Sequence, residues 1–222
     1  MNHTKIILVF IFFLGCNKAI EKSIDKDLVK HLQEMVKVDQ FVASYAFPPK
    51  EYNHFSQKQW ERFKDSVYRT NEVQLQKIFN DKGFVGYDIG GEKGSKNFWL
   101  LVQHCDHNPA FQNEVLQKMK LEVTKNNANA ENYAFLTDRV KINTGEKQIY
   151  GTQVAFNSKI AQAYPIKLKD SINVNKRRKA IGLEPLEKYL DEATLIHFEM
   201  NKEAYLKMGI KAPKLYIKKT LK

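Results

Sequence analysis

The chain has 222 residues, 43% apolar and 27% charged, with 36 Lys/Arg against 25 Asp/Glu for a formal net charge of +11. The apolar share excludes a disordered chain, and ten glycines and six prolines exclude collagen-like or low-complexity sequence. The length suits one domain of ordinary size or two small ones.

Met1 to Lys5 is short and polar with one cation, Ile6 to Leu14 (IILVFIFFL) is uninterrupted apolar, and Gly15-Cys16 follows. Nine apolar residues rise about 13.5 Å as a helix, against roughly 30 Å of bilayer core. The stretch is too short to span and has the length of a signal-peptide hydrophobic region. The junction Phe13-Leu14-Gly15-Cys16 resembles a bacterial lipoprotein signal, in which cleavage precedes the cysteine and its sulfur carries diacylglycerol; Phe13 stands where Leu is usual. The resemblance implies a signal over residues 1–15, lipidation at Cys16, a tether over 16–23 and a charge of +10 after cleavage. An ordinary secretory signal with an incidental cysteine is the alternative. More than one acyl chain anchors stably, so the membrane is an expected partner. Asn17-Lys18-Ala19-Ile20 lacks the acidic run that resembles surface-export signals, and a periplasm-facing position in the cell envelope is the expectation. With Cys16 acylated, Cys105 has no partner within the chain, and the core must hold the fold.

From Ile24 the positions Ile24, Leu28, Leu32, Met35 and Val36 recur at helical spacing, with Ser23 as a possible cap. This helix should run towards Ala46 and stop before Pro48-Pro49. Ser56 opens a second helix with Trp60, Phe63, Val67, Leu75, Ile78 and Phe79 on one stripe, and Gly83 breaks it. Gly83 to Gly94 holds five glycines and reads as a loop; neither phosphate-binding glycine spacing fits it. Ser95 then caps a short helix to His104. Asn108-Pro109 restarts the chain as cap and first helical residue, with Val115, Leu116, Met119 and Val123 as the buried stripe. Asn129 starts a helix carrying Tyr133, Leu136 and Val140, and Asn143-Thr144-Gly145 is a turn. Gln148 to Phe156 is rich in strand formers, and Asn157-Ser158 turns it back into Ile160 to Ile166, a small β-hairpin. A short helix from about Val174 and a longer one from Leu186 to Met208 close the domain. The expected fold is mainly α: one compact helical domain over 24–210 with one small hairpin, then a basic tail over 211–222, a strand or a loose end.

Gln103-His104-x-Asp106 with Pro109 and Gln112, Leu136-Thr-Asp138-Arg139-Val140, Gln148-x-Tyr150-Gly151-Thr152-Gln153, and Val174-Asn-x-Arg177-Arg178 with Gly182-Leu183 and Tyr189-Leu190 form a recognisable pattern. Asp39-Gln40 and Asn71 fit it as well. Together they resemble an uncharacterised bacterial family, often secreted or lipidated, classed only as a domain of unknown function. The likeness covers roughly residues 28–190. It implies a shared helical fold with a polar site and carries no activity.

His104, Asp106 and His107 fall at a helix-to-helix junction, where backbone groups are unpaired and side chains converge. Asn71 falls on the apolar stripe of its helix and needs a buried partner. One reading is a buried hydrogen-bond network that docks helices and hairpin. The other is a ligand or catalytic cleft. In it His104, Asp106 and Asp138 are candidate catalytic residues, and Asn71, Gln103, Arg139, Gln148, Tyr150, Gln153 and Arg177 candidate ligand-binding ones. His104 is the natural acid or base, with Asp106 or Asp138 orienting its ring and Arg139 or Arg177 holding an anion. No Gly-x-Ser-x-Gly elbow supports a serine triad, and Cys105 points about 100° from His104 on a helix. His104 and His107 are spaced to face one ion, but no Cys-x-x-Cys or His-Glu-x-x-His accompanies them. No metal and no cofactor is expected, and His107 is assigned a capping or hydrogen-bonding role.

Between Lys159 and Lys222 there are 15 Lys/Arg against 7 Asp/Glu, a local +8 densest at Lys176-Arg177-Arg178-Lys179. This is a solvated face or a surface for anionic lipid headgroups, and nucleic acid is not an expected partner. The function classes left open are a periplasm-facing lipoprotein binding a small polar or anionic ligand, a hydrolase-like enzyme using His104, and a structural envelope protein with a buried polar network.

Overall fold

The structure is a computed structural model and describes residues 23–217. The signal, Cys16 and the tether as far as residue 22, and the last five residues of the tail, lie outside it. Among the described residues there are eight α-helices and one two-stranded antiparallel sheet, the mainly α architecture with a small hairpin that the pattern implied.

Helix α1 (Lys26–Ser44) is capped by Asp25, whose carboxylate accepts from Leu28 N at 2.9 Å. The cap is therefore Asp25 and not Ser23, as an acid at this position also faces the positive end of the helix. A 3-10 turn at Lys50–Tyr52 leads to α2 (Gln57–Lys82), where Ser56 and Gln59 form the reciprocal capping box. Helix α3 (Tyr87–Gln103) corrects the expected glycine loop. Its first turn is held by Asn127, whose backbone oxygen accepts from Tyr87 N (2.9 Å) and whose side-chain oxygen accepts from Asp88 N (2.9 Å). Gly91, at φ +61° and ψ −176°, is not helical and divides α3 into two helical segments joined across a kink, a backbone conformation that other residues resist. Ser95 lies inside α3 and caps nothing.

Helices α4 (Pro109–Thr124) and α5 (Ala130–Asn143) begin at Asn108 and Asn129, each accepting a first-turn N–H. Leu28, Leu32 and Met35 of α1, Leu75 of α2, Phe98, Leu101 and Val102 of α3, Phe111, Val115 and Met119 of α4, and Leu136 and Val140 of α5 form the main core.

The hairpin is shorter than the run of strand formers, with β1 (Val154–Asn157) paired to β2 (Gln162–Pro165) in the register Val154 to Pro165. Gln148 makes an isolated bridge to Leu168, and residues 149–153 stay irregular because most of their N–H groups go to side-chain acceptors. Helix α6 (Val174–Lys179) and α7 (Leu186–Met200) enclose a second core of Ala163, Val174, Leu186 and Leu190. The expected helix to Met208 breaks at Asn201, whose side-chain amide bonds His197 O at 2.9 Å; α8 (Lys202–Lys207) follows. The start of the tail is docked: Asp191 accepts from Tyr216 N (2.7 Å) and Ile217 N (3.0 Å), and the Tyr216 hydroxyl donates to Ala163 O. Among the described residues no helix is long and apolar enough to cross a membrane.

Candidate functional site

Three helices deliver polar side chains to the end of α3. His104 is the residue at which α3 stops, and its Nδ1 lies 2.6 Å from Asp39 Oδ1 on α1. Asp39 is fully buried and has Leu28, Leu32, Met35 and Val42 on the same face of its helix. A lone carboxylate there would be costly, and its oxygens also take Gln40 Nε2 (2.9 Å) and Asn71 Nδ2 (3.4 Å). A carboxylate can only accept from Nδ1–H. In the neutral ring this fixes the Nδ1–H tautomer and leaves Nε2 as the free lone pair, and Nε2 has no hydrogen-bond partner among the described residues. The His104 side chain is 20% exposed, so the ring is gripped at one nitrogen and still partly open to solvent. The Tyr68 ring lies 5.2 Å away, its phenol pushed up first by burial and then by Asp39.

A second pair sits one residue further along α2. His107 Nε2 bonds Glu72, whose other oxygen accepts from Asn108 Nδ2 and Gln76 Nε2. The two histidines thus turn to different carboxylates, and among the described residues no group of three or more His, Cys, Asp or Glu is arranged to hold an ion. Between them in sequence, Cys105 is buried with its Sγ towards Leu101 O; burial and then Glu72 push its thiol up, the opposite of an activated nucleophile.

Asp106 and Arg139 form a two-pronged ion pair at 2.7 and 2.6 Å, and Asn143 and Gln112 donate to the same carboxylate. Burial pushes the Asp106 carboxyl up, but Arg139, Asn143 and Gln112 outweigh it and leave it below the ordinary carboxylate range. The pair is partly exposed and forms the rim of this end of the domain, with Asp106 two residues along the chain from His104.

The remaining candidates gather around the hairpin. Asp138 is fully buried and accepts from Ile149 N (2.6 Å), Tyr150 N (3.0 Å), Thr152 N (2.9 Å) and the Thr152 hydroxyl (3.0 Å). Gly151 turns at φ +76° to aim these donors inward. Gln148 is fully buried and spans the loop, exchanging bonds with Gln153 N and O and donating to Ile166 O. Arg177 donates to the carbonyls of Ile149, Lys169 and Asp170, and Tyr150 is half-buried with its carbonyl held by Arg178. Gln103 is buried in the body of the domain.

The candidate residues therefore divide. Asn71 and His104 meet at Asp39, with Asp106 and Arg139 beside them; Asp138, Gln148, Tyr150, Gln153 and Arg177 meet at the hairpin loop. Asp39 and Tyr68 were not among the site candidates. The signal for Asp39 was present, since a charge on an apolar stripe demands a buried partner as Asn71 does. Tyr68 carried none.

No curated protein and no solved structure matches the chain. Residues 26–196, which hold both polar clusters, match the model of a family of unknown function, DUF6624, and the chain belongs to that family.

Proposed function

We propose that this chain is a lipid-anchored protein of the bacterial cell envelope whose helical domain performs general acid/base chemistry at His104, with hydrolysis as the reaction class. The observation that carries the reading is the buried Asp39 carboxylate 2.6 Å from His104 Nδ1 on a ring still open to solvent. A histidine that serves packing alone has no need of a sealed carboxylate on one nitrogen, a second nitrogen without a protein partner, and a ring partly open to solvent. In the mechanism, water at Nε2 gives up a proton to the ring as its oxygen attacks the electrophilic carbon or phosphorus of the substrate. Asp39 stabilises the imidazolium, which returns the proton to the leaving group.

The reading as a pure binding module is weaker, because the groups it relies on are engaged within the protein: Arg139 by Asp106, Gln148 by Gln153 and Ile166, Arg177 by three carbonyls. The envelope location rests on the Leu14-Gly15-Cys16 junction. Anchored there, the basic C-terminal third stands close to anionic headgroups.

The chemistry is tested by assaying the full chain against p-nitrophenyl carboxylic esters and bis-p-nitrophenyl phosphate. Turnover of a responding substrate should fall about 10²–10⁴-fold in His104→Gln. It should fall similarly in Asp39→Asn and stay unchanged in Cys105→Ser. Turnover that survives His104→Gln overturns the assignment. The anchor is tested separately by fatty-acid labelling, which Cys16→Ser should abolish and Cys105→Ser should not.

A further inference from the structure

Along the first part of α3, away from the end at His104, a cleft of about 320 Å³ opens between α3 and the start of α5, lined by Tyr87, Glu92, Ser95, Lys96, Asn129 and Asn132. It shares no residue with the His104 cluster. Its floor is fixed by the Trp99 indole donating to Asn132 O at 2.8 Å, and its wall by Asn129, whose side-chain oxygen caps α5 at Asn132 N.

Two features of this cleft bear on what it can hold. Glu92 and Lys96 are exposed and stand one helical turn apart, and among the described residues neither has an ion-pair partner. Between them Ser95 is only 4% exposed, and its hydroxyl makes no hydrogen bond among the described residues. A helical serine ordinarily bonds the carbonyl four residues back. Here that residue is Gly91, whose non-helical backbone takes the carbonyl out of line. The kink thus leaves the Ser95 hydroxyl without a protein partner and open only to the cleft, on an otherwise buried residue between the carboxylate of Glu92 and the ammonium of Lys96.

We infer that this cleft binds a small zwitterion, an α-amino acid, through Glu92, Ser95 and Lys96. Lys96 receives the carboxylate, Glu92 the ammonium, and Ser95 hydrogen-bonds the carboxylate from below. The side-chain amides of Asn129 and Asn132 supply further donors, and the Tyr87 ring gives the ligand's side chain an apolar wall. The two charged lining groups cancel, so a neutral ligand with separated charges satisfies both. A ligand of one charge leaves one of them unmatched, and an uncharged polyol compensates neither. The volume sits at the lower end of the range for small-molecule sites, which suits a ligand of this size.

The test is calorimetric titration of the full chain with a panel of L-amino acids, with acetate, ethylamine and D-glucose as comparison probes. At least one amino acid should bind, and the three comparison probes should not. Glu92→Gln and Lys96→Met should each weaken binding about tenfold or more. Ser95→Ala should weaken it measurably. Glu92 and Lys96 are exposed, so both variants should melt with the wild type, and His104→Gln should bind as wild type does. The inference is overturned if no amino acid binds at about 10 mM. It is equally overturned if glucose or a singly charged probe binds as well, or if binding ignores the Glu92 and Lys96 substitutions.

Discussion

Asp39 and Asp138 are both sealed from solvent, and the regions around them have been built for different ends. Around Asp138 every donor is supplied by one short stretch of chain, residues 149–152, and the carboxylate holds that loop in a shape no strand would adopt. Around Asp39 the partners are three side chains, one of them a histidine that keeps a second nitrogen in reserve. A closed set of hydrogen bonds maximises local order. An incomplete one, with its open end at the surface, leaves a group able to exchange a proton with something else. The difference in how completely the two clusters are satisfied, more than the residue types in them, separates scaffold from candidate site.

The contrast is broken most severely at Asp138. Asp138→Ala strands three backbone N–H groups, that of Thr152 buried and those of Ile149 and Tyr150 partly so, and should cost on the order of 3–5 kcal/mol of stability. Urea unfolding should report the loss, and amide exchange should show residues 149–153 opening first. If Asp138→Ala instead unfolds like wild type, the loop is held by its own turn geometry and the scaffold reading of this cluster fails.

A smaller effect is expected on the other side. Asp39→Asn keeps the shape but sets an amide NH₂ among three donors, His104 Nδ1, Gln40 Nε2 and Asn71 Nδ2, and should cost about 1–2 kcal/mol. Its diagnostic consequence is chemical. The His104 proton should move to Nε2, read as exchanged ¹⁵N shifts of the two ring nitrogens, while the amide exchange of residues 149–153 stays unchanged. An unmoved tautomer would show that Asp39 does not govern the ring.

These distinctions were only partly legible in the sequence, and distance along the chain decides which parts. Helix starts whose deciding group is local were readable: Ser56 with Gln59, Asn108 before Pro109, and Asn129. The run from Gly83 to Gly94 reads as loop because what turns most of it into helix is Asn127, about forty residues away. The strand expected from Gln148 begins only at Val154 because a carboxylate about ten residues earlier captures the intervening donors. His104 and Asp138 were both singled out as polar residues near element ends, but their partners determine their roles. Those partners, Asp39 at 65 positions' separation and a backbone loop, leave no mark in periodicity. Asp39 itself was discoverable, as was Gln112, since both are fully buried polar residues on otherwise apolar helix faces.

The rim between the two regions gives the smallest and most selective test. Asp106 is half-exposed, with 46% of its side chain open to solvent, so its ion pair with Arg139 is screened and should contribute less than about 1 kcal/mol. The sign of its pH dependence follows from its depressed folded pKa. Above the unfolded-state value near pH 4 the carboxylate is charged in both states and the contribution is fully present. As pH falls through the lower folded value the proton binds the folded state too, and the contribution is lost. Wild type should therefore lose slightly more stability than Asp106→Asn between about pH 5 and pH 3, when unfolding is followed at fixed ionic strength. Because Asp106 touches Arg139, Asn143 and Gln112 and neither the His104 ring nor the 149–152 loop, the substitution should leave the His104 tautomer and the loop's amide exchange as they are. A change in the tautomer would mean that the Arg139–Asp106 pair is wired into the Asp39–His104 cluster, and the rim would then belong to the site.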